Sequence, residues 1–221
     1  QYYKQPSEAP ALDAQQREGA ALLARARGAG VEMRGGVEIW GAFDGPVFAA
    51  RPAEGGALAL RPRVAILAAG AYERPLMVPG WTLPGVMTTG AAQTLWRSHR
   101  TLPGRRVVVA GTGPLNAQVA LELARGGAEV AALAEAAPRP VARLGPGLRM
   151  ARADPRLAAK GALMLGALGA RGVFLLYRTR LARIEAEGDA LVAVLAGPRG
   201  ERRVAADAVL MNDGFQPSNE A

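Results

Sequence analysis

Twelve residues constrain this chain more than any others: Arg105-Arg106-Val107-Val108-Val109-Ala110-Gly111-Thr112-Gly113-Pro114-Leu115-Asn116. Val107 to Ala110 is an uninterrupted apolar run of the length of a buried strand, and Pro114 to Arg125 has the spacing of a helix, with proline where a helix tolerates it. Between them, Gly111 permits a tight turn off the strand. Gly113 lets a pyrophosphate approach the free N–H groups of a helix N-terminus. A second strand follows from Glu129 to Leu133, and Glu135 lies 22 residues beyond Gly113, where a carboxylate accepts from a ribose hydroxyl. The order strand, glycine turn, helix, strand predicts an α/β, Rossmann-like unit, with Gly111, Thr112, Gly113, Pro114, Leu115 and Glu135 as candidate nucleotide contacts.

One position departs from that pattern. Asn116 occupies the place of the third glycine, where a side chain is expected to hinder close helix–strand packing and weaken nucleotide binding. A Rossmann-like domain that keeps its fold without the nucleotide is the alternative. Glu135 favours NAD over NADP by repelling a 2′-phosphate, which Arg139 and Arg143 partly offset; a solvated surface glutamate is the plainer reading.

Elsewhere the pattern predicts a helix over 11–30 closed by Gly28 and Gly30, then short strands at 31–33, 37–43, 47–50 and 57–60 separated by turn residues, a small antiparallel meander. Val64 to Ala68 reads as an apolar strand ending at Gly70. Residues 71–90, rich in Pro and Gly, read as an ordered linker, and 91–99 as a helix. A buried helix is expected over 158–168 and a strand over 173–176. A second meander is expected at 181–186, 191–195 and 201–204, and a last apolar strand at 208–211 before Gly214.

With 221 residues, half of them apolar, the chain can bury a core in one or two domains. Its 27 Lys and Arg against 19 Asp and Glu give a net charge of +8. The cations are nearly all arginine and never run longer than a pair, so no nucleic-acid partner is expected. Without cysteine, the residues at hand exclude disulfides, thiolate metal sites and a redox-active dithiol. Arg171 interrupts the longest apolar stretch well short of the ~18 residues that a spanning helix needs, so no transmembrane segment is expected.

Three further stretches carry a resemblance. Leu67-Ala68-Ala69-Gly70-Ala71-Tyr72-Glu73-Arg74-Pro75, then Pro79-Gly80-Trp81-Thr82-Leu83-Pro84-Gly85-Val86, and finally Asn212-Asp213-Gly214-Phe215-Gln216-Pro217-Ser218 resemble one branch of the two-dinucleotide-domain flavoprotein oxidoreductases. That branch comprises the flavin subunits of opine oxidase, hydrogen cyanide synthase, heteromeric proline or hydroxyproline dehydrogenase, and the alpha chain of sarcosine oxidase. The resemblance implies FAD, with NAD as a candidate second nucleotide, a small amine or amino-acid substrate, partner subunits, and a cytoplasmic location or one at a membrane through partners.

Residue by residue, the resemblance places Gln1, Val37, Ala69, Gly70 and Gly214 near FAD. Gln1 and Tyr3 match the end of a segment that follows the family's first FAD turn, so the chain is expected to be a fragment without that turn. An iron–sulfur cluster, if present, lies outside it. Ala69 stands where the family has threonine. The implied organisation is a partial FAD-binding domain over 1–103, an inserted Rossmann-like NAD(P)-type domain over 104–204, and a return to the FAD domain over 205–221. The rival functions are an NAD(P)H-dependent flavoprotein reductase and a non-catalytic nucleotide-binding subunit.

The remaining candidates have plainer readings. His99, the single histidine, is expected as a solvated helix residue, Asp213 beside Asn212 as a turn former, and Trp81 and Trp96 as packing anchors rather than ring-stacking surfaces. No metal site, nucleophile–base pair or paired carboxylates can be assembled, and no catalytic residue is assigned.

Overall fold

The computed structural model describes residues 10–218, which fall into two compact units, one including 10–72 and 216–218 and the other 73–215. The first opens with helix α1 (Ala14–Gly28), whose N-cap Asp13 accepts the Gln16 N–H through its side chain. Strands β1 (Val37–Phe43), β2 (Val47–Pro52) and β3 (Leu58–Leu60) then pair as an antiparallel meander in that order.

Two expected strands of this unit are not formed. Residues 31–33 and 64–68 are irregular, and Val64, Ile66 and Leu67 stand in solvent, Ile66 at 90% exposure. A strand needs a neighbour for its backbone N–H and C=O groups; the Val31 N–H instead turns back to the Ala26 carbonyl at the end of α1 (3.1 Å), and no strand among the described residues pairs with 64–68. Residues 71–90, expected as a linker, contain β4 (Ala71–Glu73) and β5 (Val86–Thr88).

The second unit is built around a five-stranded parallel sheet. Its elements are helix α2 (Thr89–His99), strand β6 (Arg106–Gly111), helix α3 (Pro114–Arg125), strand β7 (Glu129–Glu135), helices α4 (Leu144–Ala153) and α5 (Pro155–Gly169), and strand β8 (Leu175–Tyr177). An antiparallel meander follows in β9 (Arg180–Glu187), β10 (Ala190–Gly197) and β11 (Gly200–Ala206), then β12 (Ala208–Asn212); β13 (Phe215–Pro217), whose Gln216 and Pro217 belong to the first unit, pairs with β4. The sheet order is β5-β12-β6-β7-β8.

The apolar runs Val107–Ala110 of β6 and Ala208–Met211 of β12 are buried on both faces, as parallel strands covered on two sides must be. On one side Val107, Val109, Leu133 and Leu210 pack with Val119, Leu123 and Leu168 of the helices. On the other, Val108, Ala110, Ala132 and Val209 pack with Leu181, Leu191 and Leu195 of the β9–β11 meander. Because β12 lies between β5 and β6, the described residues of this compact unit run from Glu73 to Phe215.

The helix expected over 158–168 exists but is not buried throughout. Leu168 is enclosed, whereas Leu163 is 75% exposed, since only one face of α5 meets the core. Helix α4 was not expected, because Gly145-Pro146-Gly147 inside it reads as a turn. Among the described residues no helix is long and apolar enough to cross a membrane.

Candidate nucleotide-binding site

Four strands of the parallel sheet end side by side. In the ladder, Asn212 of β12 stands opposite Gly111 of β6, Gly111 opposite Glu135 of β7, and Glu135 opposite Tyr177 of β8. The carboxyl ends of an open parallel sheet are where such folds bind ligands.

The β6–α3 turn needs both of its glycines, for different reasons. A Cβ on Gly111 would lie 1.8 Å from the Asn212 carbonyl oxygen, so β12 approaches too closely for any side chain. Gly113, the N-cap of α3, has φ +105, a conformation that L side chains rarely adopt, and a Cβ there would meet nothing within 4 Å. Pro114 has no N–H and the Gly113 N–H is given to Glu135 (3.1 Å), but no side chain caps α3, so the N–H groups of Leu115 and Asn116 in its first turn face outward without a side-chain cap. These features fit a pyrophosphate, and Thr112, Pro114 and Leu115 frame the same turn.

Glu135 is held rather than loose. Its Oε1 accepts from the Thr112 hydroxyl (2.9 Å) and the Ala137 N–H (2.9 Å), and its Oε2 from the Gly113 N–H (3.1 Å). A carboxylate has about four acceptor positions, so one remains for a ribose hydroxyl. The Arg139 guanidinium lies over the Tyr177 ring, 5.9 Å from its centroid. Burial pushes the Tyr177 phenol above its usual range and the Glu135 charge adds to this, while Arg139 opposes both. Sequence reasoning missed Tyr177, although it ends an apolar strand just as Glu135 does.

Asn116 does not act as the expected obstacle. It is buried at 1% exposure and hydrogen-bonded at both ends of its amide: Asn116 Nδ2 donates to the Asn212 carbonyl (3.1 Å), and Asn116 Oδ1 accepts from the Thr89 hydroxyl (2.8 Å). A polar side chain is accommodated here because two polar partners face it.

In the first unit an open cavity of about 980 Å³ is lined by Ile39, Trp40, Phe48, Leu67, Ala69 and Tyr72. Val37 begins β1, paired with Pro52, and the Gly70 carbonyl accepts from Ser218 N–H (3.0 Å). This apolar wall fits a flat ring system. Arg61 also lines this cavity and is its one cationic side chain among the lining residues. Gly214, in the second unit, accepts from Arg74 N–H through its carbonyl and donates its own N–H to Asn212 Oδ1. Gln1, Tyr3 and the rest of 1–9 lie outside the described residues.

His99 is exposed in the last turn of α2, in line with a solvated helix residue. The turn at 212–214 is closed by the Asn212 side chain rather than by Asp213. Trp96 packs on the helical side of the core against Gly126. Among the described residues no cluster of His, Asp or Glu has the arrangement of a metal site.

Comparison with known proteins places these features in a family. The family model for pyridine nucleotide-disulphide oxidoreductases matches residues 2–221. The HcnB subunit of hydrogen cyanide synthase from Pseudomonas protegens is 36% identical over 168 residues, which is 70% of this chain and 34% of that protein. An opine oxidase subunit of Agrobacterium tumefaciens is 34% identical over 174 residues, 74% of this chain and 32% of that protein. The chain thus spans about a third of the length of these relatives. Among solved structures, the ferredoxin reductase of the CYP199A2 system from Rhodopseudomonas palustris superposes with a TM-score of 0.56 at 26% identity, over 83% of this chain and 42% of that one. With an open glycine turn at the end of a parallel sheet and a family match along nearly its whole length, the chain belongs to the pyridine nucleotide-disulphide oxidoreductases, a family of FAD- and NAD(P)-binding enzymes.

Proposed function

We propose that this chain is the nucleotide-binding part of an FAD-dependent oxidoreductase, the flavin subunit of a heteromeric amine or amino-acid oxidase or dehydrogenase. In this reading residues 73–215 form the NAD(P)-type domain, and 10–72 with 216–218 belong to an FAD-type domain. The observation that carries it is the open turn at Gly113, facing the carboxyl ends of β6 and β7. The choice of a CH–NH donor draws on the similarity to the opine oxidase protein, and the heteromeric assembly on that relative's being one subunit of its enzyme.

FAD, when bound, supplies the two-electron acceptor for a hydride leaving the carbon next to the amine nitrogen. The chain's own residues bind and orient. The first turn of α3 offers N–H donors to a dinucleotide pyrophosphate, Gly113 keeps side chains out of its way, and Glu135 accepts from an adenine-side ribose hydroxyl. The walls at Trp40, Leu67, Ala69 and Tyr72 shield a ring from water.

Anaerobic mixing of the FAD-loaded protein with a secondary amine of the opine or imino-acid class tests this: bleaching of the visible flavin band is expected. Bleaching by NADH alone supports a second reading, a pyridine-nucleotide-dependent reductase, which the intact glycine turn and the likeness to a ferredoxin reductase favour. No bleaching by either points to a non-catalytic nucleotide-binding protein.

A further inference from the structure

We infer that Asn116 is a positioning residue of the nucleotide turn, acting through the Asn212 carbonyl, so that its place in the glycine pattern is a gain of control rather than a loss of the site. This rests on the nucleotide reading of the β6–α3 turn. The Asn212 carbonyl is the junction. It accepts from Thr112 N–H (2.8 Å) and from Asn116 Nδ2 (3.1 Å), and it is the atom that Gly111 must clear. Thr112 in turn donates its hydroxyl to Glu135, which also accepts the Gly113 N–H. Asn116 therefore fixes the backbone of the residue between the two glycines without reaching the ligand.

The asparagine is itself locked from behind. Thr89, fully buried at the start of α2, donates to Asn116 Oδ1, which sets the amide orientation so that Nδ2 faces Asn212. Asn212 is held at its other end as well: its Nδ2 donates to Glu73 Oε1 (2.6 Å) and its Oδ1 accepts from Gly214 N–H (2.9 Å). A buried chain of this kind, with each amide used as donor and acceptor, specifies one arrangement of the turn, because any rotation strands a polar group away from water. A glycine at 116 would give close packing but no hold on the carbonyl.

The test compares NADH affinity, by titration of nicotinamide fluorescence, with amide hydrogen exchange at Thr112 and Gly113 in the nucleotide-free chain. Asn116→Ala and Thr89→Val are the working variants. Val119→Ala, a cavity on the helical side of the same core, is the control for plain destabilisation. The expected result is that both working variants weaken NADH binding by about five- to tenfold and speed exchange at Thr112, while Val119→Ala lowers the melting temperature but leaves affinity within about twofold. Unchanged exchange and affinity in Asn116→Ala, or an equal affinity loss in Val119→Ala, overturns the inference. If the wild-type chain binds no NADH while Asn116→Ala still speeds exchange at Thr112, the nucleotide reading falls and the positioning of the turn stands.

Discussion

The guanidinium of Arg97 donates to Glu122 Oε1 at 3.1 Å, binding α2 to α3 with the arginine only 1% exposed. Gln93 and Gln118 also donate to the same carboxylate. Removing Glu122 takes away a carboxylate that accepts from Arg97, Gln93 and Gln118 at once. Glu122→Ala is expected to cost about 3–5 kcal/mol in urea unfolding, whereas the double change Arg97→Met with Glu122→Leu recovers part of that loss. A double variant no more stable than Glu122→Ala would show that the charge of Arg97 does not set the cost.

Trp96 and Gly126 pack more closely than a methyl group allows. A Cβ on Gly126 would come within 2.7 Å of the indole ring. Gly126→Ala should therefore destabilise the fold by about 1–3 kcal/mol through overpacking, despite the higher helix propensity of alanine, and shift the Trp96 fluorescence. Stabilisation by this change would mean that the indole has room to move.

Tyr177 gives the sheet edge a titration of its own. Its phenol ionises later than an ordinary tyrosine because burial and the Glu135 charge disfavour the phenolate, with Arg139 in opposition. Difference absorbance should show Glu135→Gln bringing the Tyr177 pKa down and Arg139→Ala pushing it further up. Linkage follows in sign. The stability gained from a raised pKa is present below about pH 10 and disappears as pH climbs through the folded-state value, so Tyr177→Phe removes that alkaline loss. Opposite shifts in the two variants would reverse the assigned charges.

On β9 to β11, Arg183 bridges Glu185 and Glu201, and Arg203 bridges Glu185 and Glu187. Hydrogen bonds from Arg183, and then for Glu185 from Arg203, hold the Glu185 and Glu201 carboxyls below their usual range. Their contribution is present above the ordinary carboxylate pKa and fades as pH falls through the lowered values. All of these groups are solvent-facing, so the acid-side loss should be small and should vanish in high salt. Melting curves at pH 3 to 6, with and without salt, check this; a salt-independent loss would place its origin elsewhere.

The parts of the fold that were legible in the sequence are those specified locally. Val107 to Ala110, with glycine after it and Pro114 opening a helix, carries its own boundaries, and the Gly188-Asp189 and Gly197-Pro198 turns delimit the second meander. Val64 to Ala68 has the composition of a strand, but pairing depends on a neighbour that composition does not reveal. The partners of Asn116 lie 27 residues before it and 96 after it, so its fit was invisible to a pattern that counts glycines. Tyr177 was missed for a similar reason: only sheet register sets it beside Glu135.

Titration of the chain with NADH and NADPH, in the wild type and in Gly113→Val, tests most directly whether the turn from Gly111 to Leu115 binds a dinucleotide. NADH is expected to bind more tightly than NADPH, because Glu135 meets a ribose hydroxyl and repels a phosphate. A loss of more than about tenfold is expected in Gly113→Val, whose branched side chain occupies the open space at the helix end in a backbone conformation that it resists. Equal or tighter NADPH binding would remove the role of Glu135, and unchanged NADH affinity in Gly113→Val would contradict the site itself.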